Sequence, residues 1–365
     1  MLTEATPEAG RVEQGTARLQ RQRDRWWKSL VWPAAGLGVL LLFNLLFTPG
    51  FFHIEQREGH FYGTLIDIIN HGSKVILLSL GMALVIATGG VDLSVGAVMA
   101  IAGAVAAQLI HVSGFPFVAV IACALGVAIV CGCWNGVLVS IFKIQPIVAT
   151  LILMVAGRGV AQLITDGQII TFDHPSLNFL GNGHLLALPF PIILALTALG
   201  LTVLATRKTA LGLFIESVGD NAVASACSGV DARKIQFLVY LFSGFCAGVA
   251  GLVATSNIKG ADANHAGLFL ELDAILAVVV GGGSLAGGRF YLAGAVIGAL
   301  FIQTLTTTMY MRDVSPDVAP VPKALAIIIV CLMQAPAFRQ KIARIFRRPA
   351  ASLVLVLVLL PFAPA

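Results

Sequence analysis

A short glycine-rich segment with one aspartate interrupts a long apolar region of the chain. It reads Gly89-Gly90-Val91-Asp92-Leu93-Ser94-Val95-Gly96 and lies between the apolar runs 77–88 and 95–110. A glycine within a helix costs about 1 kcal/mol relative to alanine, and an aspartate at membrane depth costs about 2.5–3.5 kcal/mol. Irregular backbone inside a bilayer is tolerated only where it is buried in protein or lines a wet cavity. The segment therefore predicts a turn at a membrane surface or a helix broken beside a transport path.

Composition is typical of a polytopic membrane protein. Hydrophobic residues make up 58% and charged residues 11% of the 365 residues, and the mean hydropathy is +0.92. A run of about 20 apolar residues spans a bilayer, and about ten such runs predict an all-α fold with about ten transmembrane helices. The eighth run carries Glu271 and Asp273 at its start. The predicted runs are 30–48, 72–88, 95–113, 117–141, 147–165, 188–206, 235–256, 273–280 with its flanks, 290–309 and 322–337.

The Lys and Arg residues are distributed unevenly between alternate connections. With a cytoplasmic N-terminus, seventeen of the 23 fall on the inner side and five on the outer side, while Arg158 lies within a span. By the positive-inside rule, both termini are cytoplasmic. We expect a cytoplasmic segment at 1–28, a membrane domain at 29–338 and a cytoplasmic basic and apolar tail at 339–365. The basic ends are expected to contact anionic lipid, since no basic stripe with interleaved aromatic residues points to nucleic acid.

An internal repeat relates the two halves of the chain. The segment 83–93 matches 275–285, and 102–105 matches 293–296. Duplicated halves with glycine-interrupted spans in corresponding places indicate a transport path, although chance similarity between apolar segments is the alternative. We expect the following residues to form a gate or a helix N-terminal cap: Gly89, Gly90, Asp92, Ser94, Gly281, Gly282 and Ser284.

The motifs of common enzyme classes are missing from the sequence. No G-x-x-x-x-G-K-[ST] is present for ATP binding, and no G-x-S-x-G elbow or cysteine with a base partner is found. The segment 281–289 loosely resembles a dinucleotide fingerprint but lacks the βαβ context and the following acidic residue. The seven histidines lack the spacing of a metal site. We therefore expect no enzyme activity, no catalytic residues, no cofactor and no metal.

Several polar side chains lie within the predicted spans. Arg158 and Gln162 are four residues apart and share one helix face. Polar residues inside a membrane face the bundle or a water path, and amides suit sugar hydroxyls because they both donate and accept hydrogen bonds. Hydrogen bonding between helices is the alternative explanation. The candidate pathway residues are Asn135, Thr150, Arg158, Gln162 and Gln303.

The inner connection 207–234 differs from the other loops. Its small residues and glycine stop predict one or two short amphipathic helices on the cytoplasmic face. Such a helix needs a partner for its apolar face, either lipid or protein. The mixture of Glu216, Asp220 and Asp231 with basic residues favours a protein partner over lipid.

Two blocks of the sequence carry a resemblance to a known family. The block Gly89–Gly96, with Gln145-Pro146 and Ala149-Thr150-Leu151, resembles permease subunits of ribose-type bacterial sugar importers of the ATP-binding-cassette (ABC) class. Within that family, the segment 260–277 is most similar to the permeases of galactofuranose importers. The inner connection is similar to the family's ATPase-contacting segment at Gly212, Val218-Gly219, Asn221 and Ser228-Gly229-Val230.

The resemblance covers residues 60–337 and implies import of a monosaccharide, galactofuranose or a related sugar, across the bacterial inner membrane. It implies three protein partners: a cytoplasmic ABC ATPase subunit, a second permease protomer and a periplasmic sugar-binding protein. The resemblance implies that the residues coupling the permease to the ATPase are Gly212, Glu216, Gly219, Asn221 and Gly229. The run 222–226 departs from the family's pattern, because it lacks the acidic residues common there. An ion-coupled secondary transporter or facilitator of a small polar solute is the alternative function.

Overall fold

Helices make up most of the computed structural model, which describes residues 30–57, 59–111, 115–185, 187–315 and 318–334. The predicted N-terminal segment 1–28 and the predicted tail 339–365 lie outside these residues. The helices are α1 (Leu30–Phe47), α2 (Thr64–Ala87), α3 (Val95–His111), α4 (Phe117–Ser140), α5 (Pro146–Ile164), α6 (Pro175–Asn182), α7 (Phe190–Lys208), α8 (Leu211–Asp220), α9 (Ala222–Cys227), α10 (Ala232–Asn257), α11 (Leu270–Val280), α12 (Leu292–Met311) and α13 (Pro320–Gln334).

Seven of these helices are long and apolar enough to cross a membrane, namely α1, α2, α4, α5, α7, α10 and α12. Two shorter apolar helices are α3 and the part Pro320–Ile329 of α13. α11 lies where the sequence predicts the eighth span, but its 11 residues reach only about 16 Å at 1.5 Å per residue. The described residues therefore form a polytopic helical membrane protein, while the number of about ten crossings stays a prediction.

Three helices form the centre of the bundle. Every residue of α2 from Val75 to Ala87 is buried, and α10 and α12 are also largely buried. In contrast, α4, α5 and α7 keep many apolar side chains exposed, as helices that face lipid do. Glycines let the helices approach closely, since a Cβ on Gly244 of α10 would lie 2.8 Å from the Cα of Gly132 on α4. Small residues therefore set the packing around the central helices.

Three short antiparallel strand pairs join the connections between helices. β1 (Glu55–Arg57) pairs with β2 (His60–Tyr62), and β4 (His184–Leu185) pairs with β5 (Leu188–Pro189). β3 (Ile170–Thr171) pairs with the distant β6 (Gly260–Ala261), so that Ile170 lies opposite Ala261. The β3–β6 pair thus ties the connection after α5 to the connection after α10.

The ends of the described chain lie toward one end of the bundle. The connection after α11 reaches the end of α2, because the amide of Gly288 donates to the carbonyl oxygen of Ala87 at 2.9 Å. α12 leads away from this point and ends beside α1, where Arg312 Nη2 donates to the carbonyl oxygen of Phe47 at 2.6 Å. α13 begins beside the start of α11, where Lys323 Nζ lies 2.9 Å from Asp273 Oδ2. The start of α1 and the last residues of α13 therefore lie toward the end of α2.

Candidate functional site

α2 and α11 end in the same backbone motif. After α2, the amide of Gly89 donates to Ile86 O and the amide of Gly90 donates to Val85 O. After α11, the amide of Gly282 donates to Val279 O and that of Gly283 to Val278 O. Both patterns are Schellman motifs, in which the first residue after the cap is left-handed. Gly89 and Gly282 fill that position with φ of +81° and +87°, which costs glycine no steric energy.

This backbone correspondence differs by one residue from the sequence match. The motif aligns Gly89 with Gly282, whereas the sequence aligns Gly89 with Gly281. In the backbone register, Ser284 corresponds to Val91, and its side chain is exposed. Ser284 therefore has a different environment from Asp92, which is buried.

Three backbone segments meet at the end of α2, and we call this contact the glycine junction (Ala87, Gly89, Gly219, Gly287 and Gly288). A Cβ on Gly219 of α8 would overlap Ala87 O and lie 2.6 Å from the Gly288 amide nitrogen. A Cβ on Gly287 would lie 3.0 Å from both Gly219 O and the Gly89 nitrogen. Any larger residue at Gly219 must therefore push α8 away from both glycine turns.

The segment after Gly89 folds back into the bundle and carries Asp92 with it. Ser243 Oγ on α10 donates to Asp92 Oδ2 at 2.8 Å, and a Cβ on Gly81 of α2 would lie 2.8 Å from the Cα of Ser243. Asp92 is thus level with Gly81, six residues or about 9 Å before the end of α2. The Asp92 side chain, which the sequence predicts as part of a gate or a helix N-terminal cap, therefore lies inside the helical bundle.

Asp92 is buried in a network of hydrogen-bond donors. Its Oδ1 accepts from the amide of Ser94 at 3.0 Å and from Ser94 Oγ at 2.7 Å. Asn135 Nδ2 on α4 donates to Ser94 Oγ at 2.8 Å and approaches Asp92 Oδ1 at 3.4 Å. The exposed fraction is 1% or less for Asp92, Ser94, Asn135 and Ser243. The network holds the turn that precedes α3, since α3 begins at Val95.

Thr150 holds the other edge of the same turn. Its Oγ1 accepts from the amide of Leu93 at 3.1 Å and lies 3.3 Å from Val91 O, which it can contact as a donor. Tyr240 OH on α10 approaches Val91 O at 3.5 Å. Of the predicted pathway residues, Asn135 and Thr150 therefore lie together at the Asp92 turn.

The remaining predicted pathway residues lie elsewhere. Arg158 and Gln162 contact the connection between β6 and α11, through Ala266 O and Asn264 Oδ1 respectively. Gln303 on α12 packs against Gly72 of α2, and its Nε2 donates to Thr307 Oγ1 at 3.4 Å. The structure thus divides the five residues among three places and does not gather them in one site.

The inner connection contains two short helices, α8 and α9, as the sequence predicts. Gly212 lies close against the end of α7, because a Cβ there would overlap Thr206 O. Asn221 Oδ1 caps α9 by accepting from the amides of Val223 and Ala224 at 3.0 and 2.9 Å. Gly229, with φ +85°, ends α9 in a further Schellman motif.

Glu216 is the charged residue among the predicted coupling positions. It lies half-buried on α8, with Arg207 and Arg289 near enough to interact with its charge. Burial raises the pKa of Glu216, and the two arginines act in the opposite direction. Glu216 therefore links α8 electrostatically to the end of α7 and to the connection after α11.

Sequence reasoning missed several residues that complete these contacts. Ser243 and Tyr240 lie three residues apart on one face of α10, and polar groups within a span could have indicated them. No local sequence pattern indicates Gly287, Gly288 or Asn264, because their contacts are with residues far away in sequence. Among the described residues, no group of three or more His, Cys, Asp and Glu side chains is arranged to hold a metal ion.

Comparison with known proteins identifies the family. The family model described as "Branched-chain amino acid transport system / permease component" matches residues 64–333. The galactofuranose transporter permease protein of Escherichia coli (strain K12) is 53% identical over 318 residues, which cover 87% of this chain and 93% of that protein. Among solved structures, none matches this chain significantly.

Two further relatives extend the similarity. The fructose import permease protein of Bifidobacterium longum is 39% identical over 329 residues, covering 88% of this chain and 92% of that protein. The ribose import permease protein of Haemophilus influenzae is 34% identical over 298 residues, covering 80% and 89%. These relatives confirm the resemblance predicted from the sequence. The chain therefore belongs to the family of permease components of membrane transport systems, and it is a multi-pass membrane permease.

Proposed function

We propose that this chain is the permease subunit of an ABC importer that carries a monosaccharide, galactofuranose or a related sugar, into the cytoplasm. The 53% identity with the galactofuranose transporter permease over 87% of the chain carries the proposal. The fructose and ribose permeases align over similar lengths, which supports a monosaccharide as the substrate class. Because the sequence contains no P-loop, a separate subunit hydrolyses the ATP.

The ATPase subunit docks on α8 and α9 at the cytoplasmic face. These helices expose the apolar side chains of Leu213 (68%) and Val223 (75%), which a protein partner would cover. Movement of α8 passes directly to the end of α2 and to the connection between α11 and α12, because Gly219 contacts Ala87 and Gly288 in the glycine junction. Gly212, Glu216, Asn221 and Gly229 hold the two helices in the position that this contact requires.

The glycine junction lies on the cytoplasmic side of the bacterial inner membrane, and both termini are cytoplasmic. The excess of Lys and Arg on the inner connections supports this orientation. The start of α1 and the last residues of α13 lie toward the same end of the bundle as the glycine junction. Ten crossings result when α3, α11 and α13 are counted with the seven long helices. The Schellman motifs after α2 and α11 support an internal repeat of the two halves.

The working importer contains a second permease protomer, the ATPase and a periplasmic sugar-binding protein. The gate is the turn between the glycine junction and α3. Asp92 and Ser94 lie in this turn, and Asn135 and Thr150 contact it. Its position inside the bundle and its contacts with α4, α5 and α10 support this role.

An ATPase assay on the purified parts tests the proposal. We expect no ATP hydrolysis by the permease alone, and hydrolysis by the permease–ATPase complex that rises when the sugar-loaded binding protein is added. The matched control is the same binding protein without sugar. The proposal would be contradicted if the rate of ATP hydrolysis were the same with and without the permease. Transport by the permease alone, driven by an ion gradient, would also contradict it and would favour a secondary transporter.

A further inference from the structure

The connection after α10 returns into the bundle before α11 begins. After β6, residues 262–269 form turns, and Gly267 packs against Gly96 near the start of α3. Gly267 has φ +72°, which a glycine adopts freely. Irregular backbone at this depth must find its hydrogen-bond partners within the protein. The side chains that contact residues 262–269 are therefore the ones that hold this connection in the membrane domain.

Two side chains on one face of α5 contact this connection. Arg158 Nη1 donates to Ala266 O at 2.5 Å and to Ala263 O at 3.2 Å. One turn later, Gln162 Nε2 donates to Asn264 Oδ1 at 2.8 Å. Arg158 is half-buried, and its bonds to other described residues come from Nη1 alone, so Nε and Nη2 retain donors. An arginine within a span that keeps spare donors marks a functional position.

Two carboxyl groups complete this cluster. The charges of Asp262 and Glu271 both interact with that of Arg158. Asp262 Oδ2 is already paired with His265 Nδ1 at 2.8 Å. Glu271 is 7% exposed, and its Oε2 has no hydrogen-bond partner among the described residues. A buried polar oxygen without a partner is unfavourable, so a ligand hydroxyl that donates to it would be stabilised. The cluster thus offers both donors and acceptors.

We propose that Arg158, Gln162, Asp262, Asn264 and Glu271 form a polar contact site for the monosaccharide between α5 and the connection 262–269. This inference rests on the proposed sugar import. Sugar hydroxyls each donate and accept, which fits a guanidinium with spare donors, two amides and the unpartnered oxygen of Glu271. A lipid phosphate fits less well, because two carboxyl groups beside the arginine would repel it.

The test uses the complete importer of permease, ATPase and binding protein in proteoliposomes. The variants are Gln162→Ala, Asn264→Ala and Glu271→Gln, and sugar uptake and ATP hydrolysis are measured on the same vesicles. We expect about fivefold fewer sugars imported per ATP hydrolysed, as the loss of one hydrogen bond to the passing sugar predicts. Stimulation of hydrolysis by the loaded binding protein should persist. Gln168→Ala is the matched control, since this exposed glutamine lies just beyond α5.

Each other outcome overturns the inference in a distinct way. If the number of sugars imported per ATP is unchanged in all three variants, the sugar does not bind at this cluster. A parallel loss of uptake and hydrolysis assigns the residues to folding alone. Recovery of the variants when the vesicles are enriched in anionic lipid assigns the cluster to headgroups. If the wild-type importer takes up no sugar on ATP, the proposed function itself falls, whereas normal wild-type uptake with unaffected variants overturns only this site.

Discussion

Asp92 shows how one residue makes an otherwise costly segment stable inside a membrane protein. A carboxylate in hydrocarbon is expensive, yet Asp92 accepts hydrogen bonds from the Ser94 amide and hydroxyl and from Ser243. The same bonds connect the turn before α3 to α10, so Asp92 also positions this turn.

We predict that Asp92→Ala destabilises the protein by about 1–3 kcal/mol, because buried donors around it lose their acceptor. Thermal unfolding in detergent measures the effect as a lower midpoint. Asp166→Asn is the control, since Asp166 is exposed just beyond α5 and asparagine tolerates its left-handed backbone (φ +49°), so the midpoint should stay nearly unchanged. Equal midpoints for Asp92→Ala and the wild type would show that the network does not stabilise the turn.

At the scale of elements, the short helix α8 contacts the end of α2 and the distant connection between α11 and α12 at once. Gly219 fits between Ala87 O at the end of α2 and the Gly288 amide after α11, with no space for a side chain. The hydrogen bond from Gly288 to Ala87 joins that connection directly to the end of α2. Under the proposed function, a displacement of α8 by the ATPase would act on the end of α2 and on the connection between α11 and α12 together.

We predict that Gly219→Ala reduces sugar uptake by the assembled importer more than tenfold, while basal ATP hydrolysis continues. The added methyl group must separate α8 from the α2 end. The movement that ATP hydrolysis drives in α8 is then no longer transmitted to the Asp92 turn. Gly200→Ala on α7 is the matched control, because a Cβ there meets nothing within 4 Å and alanine favours helix. Normal uptake by Gly219→Ala would remove the glycine junction from the coupling mechanism.

For the whole molecule, the two ends of the bundle differ in structure. One end carries the glycine junction with α8 and α9, and the other carries the β3–β6 pair beside the connection into α11. The Asp92 turn lies between the two ends, while the cluster around Arg158 lies where α5 meets the connection into α11. Interrupted helices at membrane depth place polar groups along a path without exposing them to lipid.

Local chemistry explains which features the sequence could predict. Glycines and apolar runs made the turn at Gly89–Gly96 and the helices α8 and α9 predictable, because those signals act within a few residues. The partners of Asp92 were not predictable, since Ser243 lies 151 residues away in sequence. Arg158 was expected on a pathway, but its use of Nη1 to bind the carbonyls of Ala263 and Ala266 depends on a tertiary contact that no local pattern encodes.

Accumulation of radiolabelled galactofuranose in proteoliposomes tests the central claim most directly. The vesicles contain this permease with its ATPase. The loaded binding protein is added on the side of the membrane opposite the ATPase. We predict uptake against a concentration gradient that requires ATP on the ATPase side and survives collapse of proton and sodium gradients. Uptake that proceeds without ATP and disappears when those gradients are collapsed would contradict the claim.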